Sequence, residues 1–212
     1  MYNHNLFNNE KYEINGSKFD DIISLWTNKY NSLMSLVQKR FLMSIISENN
    51  FTNILEIGVF NGVSSLCILK AGLSVNENFN LYSLDLNTDK KFVGQAANEC
   101  CTDIEKKHYH LYLGKTTFDL EKILPKDIKF DLVFIDAAHH HPFPLIDILL
   151  TLPYTYRDTI IVLHDVVDYI RPNCWGANFL FQAWRGDKYK ICDSLKEDWY
   201  PAMGCIKPYN TL

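Results

Sequence analysis

Two hydrophobic rhythms meet near residue 52. In the first fifty residues, polar start signals at 17–21 precede apolar side chains at helical spacing: Ile22, Ile23, Leu25 and Trp26, then Leu33, Leu36, Val37, Phe41, Leu42, Ile45 and Ile46. The spacing predicts helices packed on the downstream part of the chain, because no Pro- or Gly-rich linker separates the two. Beyond Asn53, short apolar runs alternate with helical stretches. Strands are predicted over 53–59, 80–85, 108–113, 130–136 and 159–165, with helices over 62–71, 90–106, 118–123 and 145–152 between them. Pro142 and Pro144 are expected to hold back the last of these helices until Leu145. A helix over 175–184 and closing strands over 189–192 and 203–206 complete the pattern. Continuous apolar strands alternating with helices predict an α/β fold, a parallel sheet covered on both faces. No internal repeat interrupts it. The expected organisation is one domain over 1–212, with a helical cap over 1–50 and the core over 51–212.

Candidate chemistry sits where the predicted strands end, because ligands of open α/β sheets lie beyond the carboxyl ends of the strands. The first strand runs into Glu56-Ile57-Gly58-Val59-Phe60-Asn61-Gly62 and then a helix. Gly58 and Gly62 allow close backbone approach, and the helix start offers free N–H groups. Asp85 ends the next strand, where a carboxylate can accept both hydroxyls of a ribose. The spacing is acid-x-Gly-x-x-x-Gly, not the GxGxxG of dinucleotide enzymes. Glu56 beside the turn disfavours a pyrophosphate and favours a cofactor with a positive end, S-adenosylmethionine. Asp136 and Asp165 end neighbouring predicted strands, and two converging carboxylates need a proton or a cation between them. Their oxygens suit a hard divalent ion such as Mg²⁺; the plainer alternative is that they cap turns. His139, three residues after Asp136, is a candidate base for a substrate hydroxyl. Its alternative role is to orient a carboxylate. Adjacent histidines point different ways, so His140 and His141 read as rim or surface residues. Thr116, after the third strand, is a hydrogen-bonding candidate. Trp175 is a candidate substrate wall or core residue, Trp26 reads as packing, and Asp147 is expected to face the same edge or to cap its helix.

Composition trims the alternatives. The 212 residues carry a formal charge of −4, so no global field draws the chain onto nucleic acid. No apolar run approaches the ~20 residues of a membrane span, and the polar start lacks a signal peptide, so a cytoplasmic protein is expected. The six cysteines form no CxxC pair and read as reduced thiols.

ILEIGVFNGVSS and LYSLD resemble the first two motifs of class I S-adenosylmethionine-dependent methyltransferases. FDLVFIDAAHHHPFPLIDILL followed by TIIVLHDV is similar to a narrower branch, bacterial metal-dependent O-methyltransferases related to macrocin O-methyltransferase. The resemblance covers roughly 53–183. It implies a Rossmann-like, mostly parallel seven-stranded sheet with one antiparallel strand near the C-terminus. It implies that Glu56, Gly58, Gly62, Asp85, Thr116 and Asp136 bind the cofactor. It further implies that Asp136 and the pair His164–Asp165 hold Mg²⁺ or Mn²⁺, with His139 as base. Where relatives have Glu or Asn beside the Asp, His164 is a softer ligand, which Mn²⁺ or another transition metal would tolerate better. The expected activity is O-methylation of a small molecule, with a sugar or glycan precursor favoured as acceptor and self-association left open. A metal-independent methyltransferase, an NAD-dependent oxidoreductase and a non-catalytic cofactor-binding scaffold are the rival readings.

Overall fold

The apolar runs pair into one seven-stranded sheet in a computed structural model that describes residues 15–27, 29–166, 176–191 and 203–209. Strands β1 (Asn53–Ile57), β2 (Asn80–Asp85), β3 (Tyr109–Leu113), β4 (Phe130–Ile135) and β5 (Thr155–Leu163) run parallel. β6 (Lys188–Ile191) and β5 each pair antiparallel with β7 (Met203–Ile206), giving the order β3-β2-β1-β4-β5-β7-β6. The sheet is therefore mostly parallel with one reversed strand. The chain steps outward from β1 to β2 and β3 on one side and resumes at β4 on the other. The β1/β4 boundary is thus a topological switch point, where a crevice opens.

The helices are α1 (Asp20–Thr27), α2 (Leu36–Asn49), α3 (Val63–Leu73), α4 (Gln95–Cys100), α5 (Leu120–Ile123), α6 (Phe143–Thr151) and α7 (Gly176–Ala183). Strand side chains alternate between two hydrophobic clusters, as a period of two requires. Ile54, Leu132, Phe134, Ile160 and Val162 join Phe41 of α2 and Leu66 of α3. Leu55, Val133, Ile135, Ile161 and Leu163 join Ile148 of α6 and Leu180 of α7. Trp26 is buried in the first cluster, as its helical stripe implies. At the amino end, buried Asp131 accepts from the backbone N–H groups of Thr52 and Asn53 and ties β4 to the start of β1.

Several elements differ from expectation: β5 starts at Thr155, four residues before the predicted 159, and both β1 and β5 stop two residues short of their predicted ends. The helix predicted over 90–106 shrinks to α4. Asn87 and Asp89 spend their side chains on the backbone N–H groups of Asp89 and Lys91, making turns instead. The chain then passes Gly94 at φ +74 and leaves helical geometry at Cys101. α6 starts at Phe143, not Leu145. Pro144 falls in its first turn, where a missing N–H costs nothing.

Candidate active site

A cavity of about 650 Å³ opens beyond the ends of β1, β2 and β4. Gly58, Asp85, Thr116, Asp136 and His139 line it; Glu56, Gly62, His164 and Asp165 are not among its lining residues. Most of the remaining lining is apolar, and Asp85, Asp136 and Asp147 make its charged groups predominantly acidic.

The turn after β1 is locked by the protein itself. Gly58 has φ +90, and a Cβ there would come within 2.1 Å of the Asp136 carbonyl oxygen. Gly62, φ +82, abuts the Cα of Gly94 at what would be 2.6 Å from a Cβ. Only glycine fits either place. Asp85 Oδ2 accepts from the backbone N–H groups of Val59 and Phe60, each at 2.9 Å, and Oδ1 accepts from that of Asn87 at 2.8 Å. A carboxylate offers about four acceptor positions, so one direction is left for a ligand.

Glu56 occupies a different position from the expected one. It does not line the cavity but lies fully buried beneath the turn. Its carboxylate accepts from Ser64 at 2.6 Å, Ser65 at 2.5 Å and Ser83 at 2.6 Å. Burial pushes its pKa up to about 7 despite those hydroxyls, with Asp136 adding to the rise. A buried acid requires such donors.

On the far side, β4 and β5 end at Ile135 and Leu163, which brings Asp136, His164 and Asp165 together just past the sheet. His164 Nδ1 lies 3.1 Å from Asp136 Oδ1 and 3.2 Å from Asp165 Oδ1. Among the described residues neither ring nitrogen of His164 has a directed hydrogen bond, although both are buried. Burial alone would lower this imidazole's pKa, but the carboxylates of Asp136 and Asp165 outweigh it and hold it at about 10. His139 Nδ1 lies 3.1 Å from the other oxygen of Asp165, Oδ2. The His139 carbonyl accepts from the N–H of Gly176 at 2.8 Å, which fixes the loop against α7. Asp165 itself has φ +56, a backbone state that side chains rarely adopt and that clusters at functional sites.

Asp136, His164 and Asp165 supply donors of the right type for a divalent ion, and His164 Nε2 is buried without a hydrogen-bond partner. As arranged, however, no three His, Cys, Asp or Glu side chains among the described residues enclose a metal site. His164 Nδ1 sits between the carboxylates, where its proton can serve as their shared cation.

The matching family is a methyltransferase domain, over residues 55–166. The chain belongs to this methyltransferase family. Among curated proteins none matches it in sequence. In solved structures the fold recurs in an O-methyltransferase from Bacillus cereus in complex with SAH, at 16% identity and TM-score 0.64, covering 93% of this chain and 92% of that one. It also recurs in the O-methyltransferase TomG from Streptomyces achromogenes, involved in tomaymycin synthesis and in complex with SAM. That match has 18% identity and TM-score 0.66, and covers 93% of this chain and 91% of the other.

Sequence reasoning missed parts of this methyltransferase's cavity. Ser32, Leu33 and Met34, between α1 and α2, contribute to the wall, as does Thr117; Asp147 also lines it, on the edge where it was expected. The Thr117 hydroxyl donates to Asp147 at 2.7 Å, and burial raises the Asp147 carboxyl above its ordinary range. The paired hydroxyls Ser64-Ser65, eight and nine residues past Glu56 in the first turn of α3, were the signal that Glu56 is buried. Trp175 lies outside the described residues. Cys67, Cys100, Cys101 and Cys205 are free thiols. No described helix is long and apolar enough to cross a membrane.

Proposed function

We propose that the protein is an S-adenosylmethionine-dependent O-methyltransferase acting on a hydroxyl of a small molecule. The observation that carries this reading is the His139–Asp165 pair at the wall of the cavity, set in a methyltransferase family. The cavity suits the cofactor: it falls in the size range of cofactor sites and combines an apolar wall with convergent carboxylates. Gly58 and Asp85 would hold the cofactor from the β1/β2 side, Thr116 would meet its base, and Asp136 would face its positive end. Gly62 and Glu56 would act from behind, by shaping the turn. Two hydrophobic clusters, each shared by strands and helices, support helices on both faces of the sheet and a single domain.

When bound, S-adenosylmethionine would supply an electrophilic methyl carbon, to which the acceptor oxygen bonds as the carbon–sulfur bond breaks. Asp165 holds His139 through Nδ1, so that Nδ1 carries the proton and Nε2 keeps its lone pair. Nε2 takes the proton of the acceptor hydroxyl as the new bond forms. The apolar lining keeps water from competing.

The finer reading adds a divalent ion at Asp136, Asp165 and His164. Its support is donor chemistry, two hard carboxylates at adjacent strand ends with a histidine between them. Such an ion would supply Lewis acidity toward the acceptor oxygen. The sugar acceptor and the macrocin-like branch rest on resemblance alone. The test is incubation with S-adenosylmethionine and a panel of sugars and phenols, with and without chelator, read by mass spectrometry. A one-methyl mass gain is expected. Loss of that gain on chelation supports the ion, and no gain with any hydroxyl compound sinks the O-methyltransferase reading.

A further inference from the structure

Asp147, on α6, lines the cavity but takes no part in the chemistry described above. The Thr117 hydroxyl donates to its Oδ1 at 2.7 Å. Its other oxygen, Oδ2, receives no hydrogen bond from any described residue. Burial raises the carboxyl above its ordinary range, and the single hydroxyl offsets only part of that. Lys115, close by in sequence, pairs instead with Asp119 at 3.8 Å. A half-buried carboxylate with one oxygen unserved gains most from a ligand that brings it an N–H or O–H donor.

The bond to Thr117 fixes which part of the cavity Asp147 serves. Thr117 lies in the turn after β3, and that turn is tied to β2: the Lys115 N–H donates to the Asp85 carbonyl at 3.1 Å, and Asp85 pairs with Leu113 in the β2–β3 register. In the order β3-β2-β1-β4-β5 this corner lies across β1 from Asp136, His139 and Asp165, which follow β4 and β5. A nucleoside with its ribose at Asp85 and its reacting end toward His139 would therefore have its base on the β3 side, with Thr117 and Asp147. Apolar surface for a planar base is at hand on the same two elements. Phe143 stands one turn before Asp147 on α6, Phe118 adjoins Thr117, and both line the cavity. Adenine carries an amino group at its 6-position, a donor. Hypoxanthine and guanine carry a carbonyl oxygen there, which a carboxylate repels.

We infer that Asp147 selects the base of the cofactor: its Oδ2 accepts a hydrogen bond from the adenine 6-amino group and rejects a 6-oxopurine. This rests on the methyl-transfer reading above. Asp147 is then a specificity-determining residue, and Thr117 is the positioning residue that aims its carboxylate.

The test compares S-adenosylhomocysteine with S-inosylhomocysteine, its deaminated counterpart, by calorimetry. Wild-type protein should bind the inosine compound about tenfold more weakly or worse, the scale of one hydrogen bond to a charged acceptor. Asp147→Asn keeps the size of the side chain and an oxygen for Thr117, and its amide N–H can meet a 6-oxo group. In that variant the two affinities should come to within about threefold of each other. A residue that only holds the turn after β3 would weaken both ligands alike when replaced and leave their ratio as it was. An unchanged ratio in the variant, or a wild-type protein that binds both compounds equally, overturns the proposal. Absence of S-adenosylhomocysteine binding by the wild-type protein takes down the methyl-transfer reading, and this one with it.

Discussion

The two halves of the carboxyl edge use their acids in opposite ways. At β1 and β2, Glu56 and Asp85 spend most of their hydrogen-bonding capacity on the protein: three serine hydroxyls for one, three backbone N–H groups for the other. At β4 and β5, Asp136 and Asp165 face histidines, and His164 is buried without a directed hydrogen bond. Satisfied buried polar networks rigidify a fold, whereas under-satisfied ones mark places where a proton or ligand completes the arrangement. The first half is built as a mould and the second as a reactive centre.

That contrast breaks most sharply at His139. Replacing it with alanine should lower turnover by about 10²–10⁴-fold, the usual contribution of a positioned acid–base group. S-adenosylhomocysteine affinity by calorimetry should hardly move, because His139 reaches the cavity from the opposite side to Asp85 and the turn. An unaffected rate constant would reject the base role and reduce the second half to scaffolding.

Asp85 tests the other half. Asp85→Ala deletes the acceptor for Val59 and Phe60 N–H and the carboxylate that the ribose would use. Affinity for S-adenosylhomocysteine should fall by about tenfold or more, the scale of hydrogen bonds to a charged group. Asp85→Asn, which keeps one oxygen acceptor, should lose less. Unchanged affinity in both variants would confine Asp85 to holding the turn.

The five parallel strands were legible because each is a short apolar run that leads into an acid or a glycine, and the prediction over 80–85 matches β2; β7 matches its prediction over 203–206 without that signal. Convergence of Asp136 and Asp165 followed from their position at the ends of successive strands that pair side by side. What sequence pattern does not carry is side-chain direction around a turn. Glu56 faces α3 because strand alternation puts Ile57 on one side and Glu56 on the other, where Ser64 and Ser65 wait. The Leu33 contribution was hidden for a different reason: it arises from a connection whose Lys29 and Tyr30 dock on Glu99, 70 and 69 residues away in sequence. The shortening of the helix predicted over 90–106 came from Asn87 and Asp89, whose backbone-bonding side chains compete with helix formation.

The smallest effect concerns the mould itself. The Glu56 carboxyl is raised from an ordinary value of 4.5 to about 7 by burial. Between those values the folded protein keeps a proton that the unfolded chain has released, so stability falls as pH rises through this window and stays lower above it. Glu56→Gln stays neutral at every pH and removes that contribution while retaining an oxygen for the serines. Thermal unfolding of both proteins at pH 5 and pH 8 should show the variant gaining on wild type at pH 8, by a few degrees in Tm. A chain of this size shifts about 2–4 °C per kcal/mol. A Tm difference that does not change with pH would mean that Glu56 is ionised throughout, its three hydroxyl donors outweighing burial, and the turn would then rest on a buried charge.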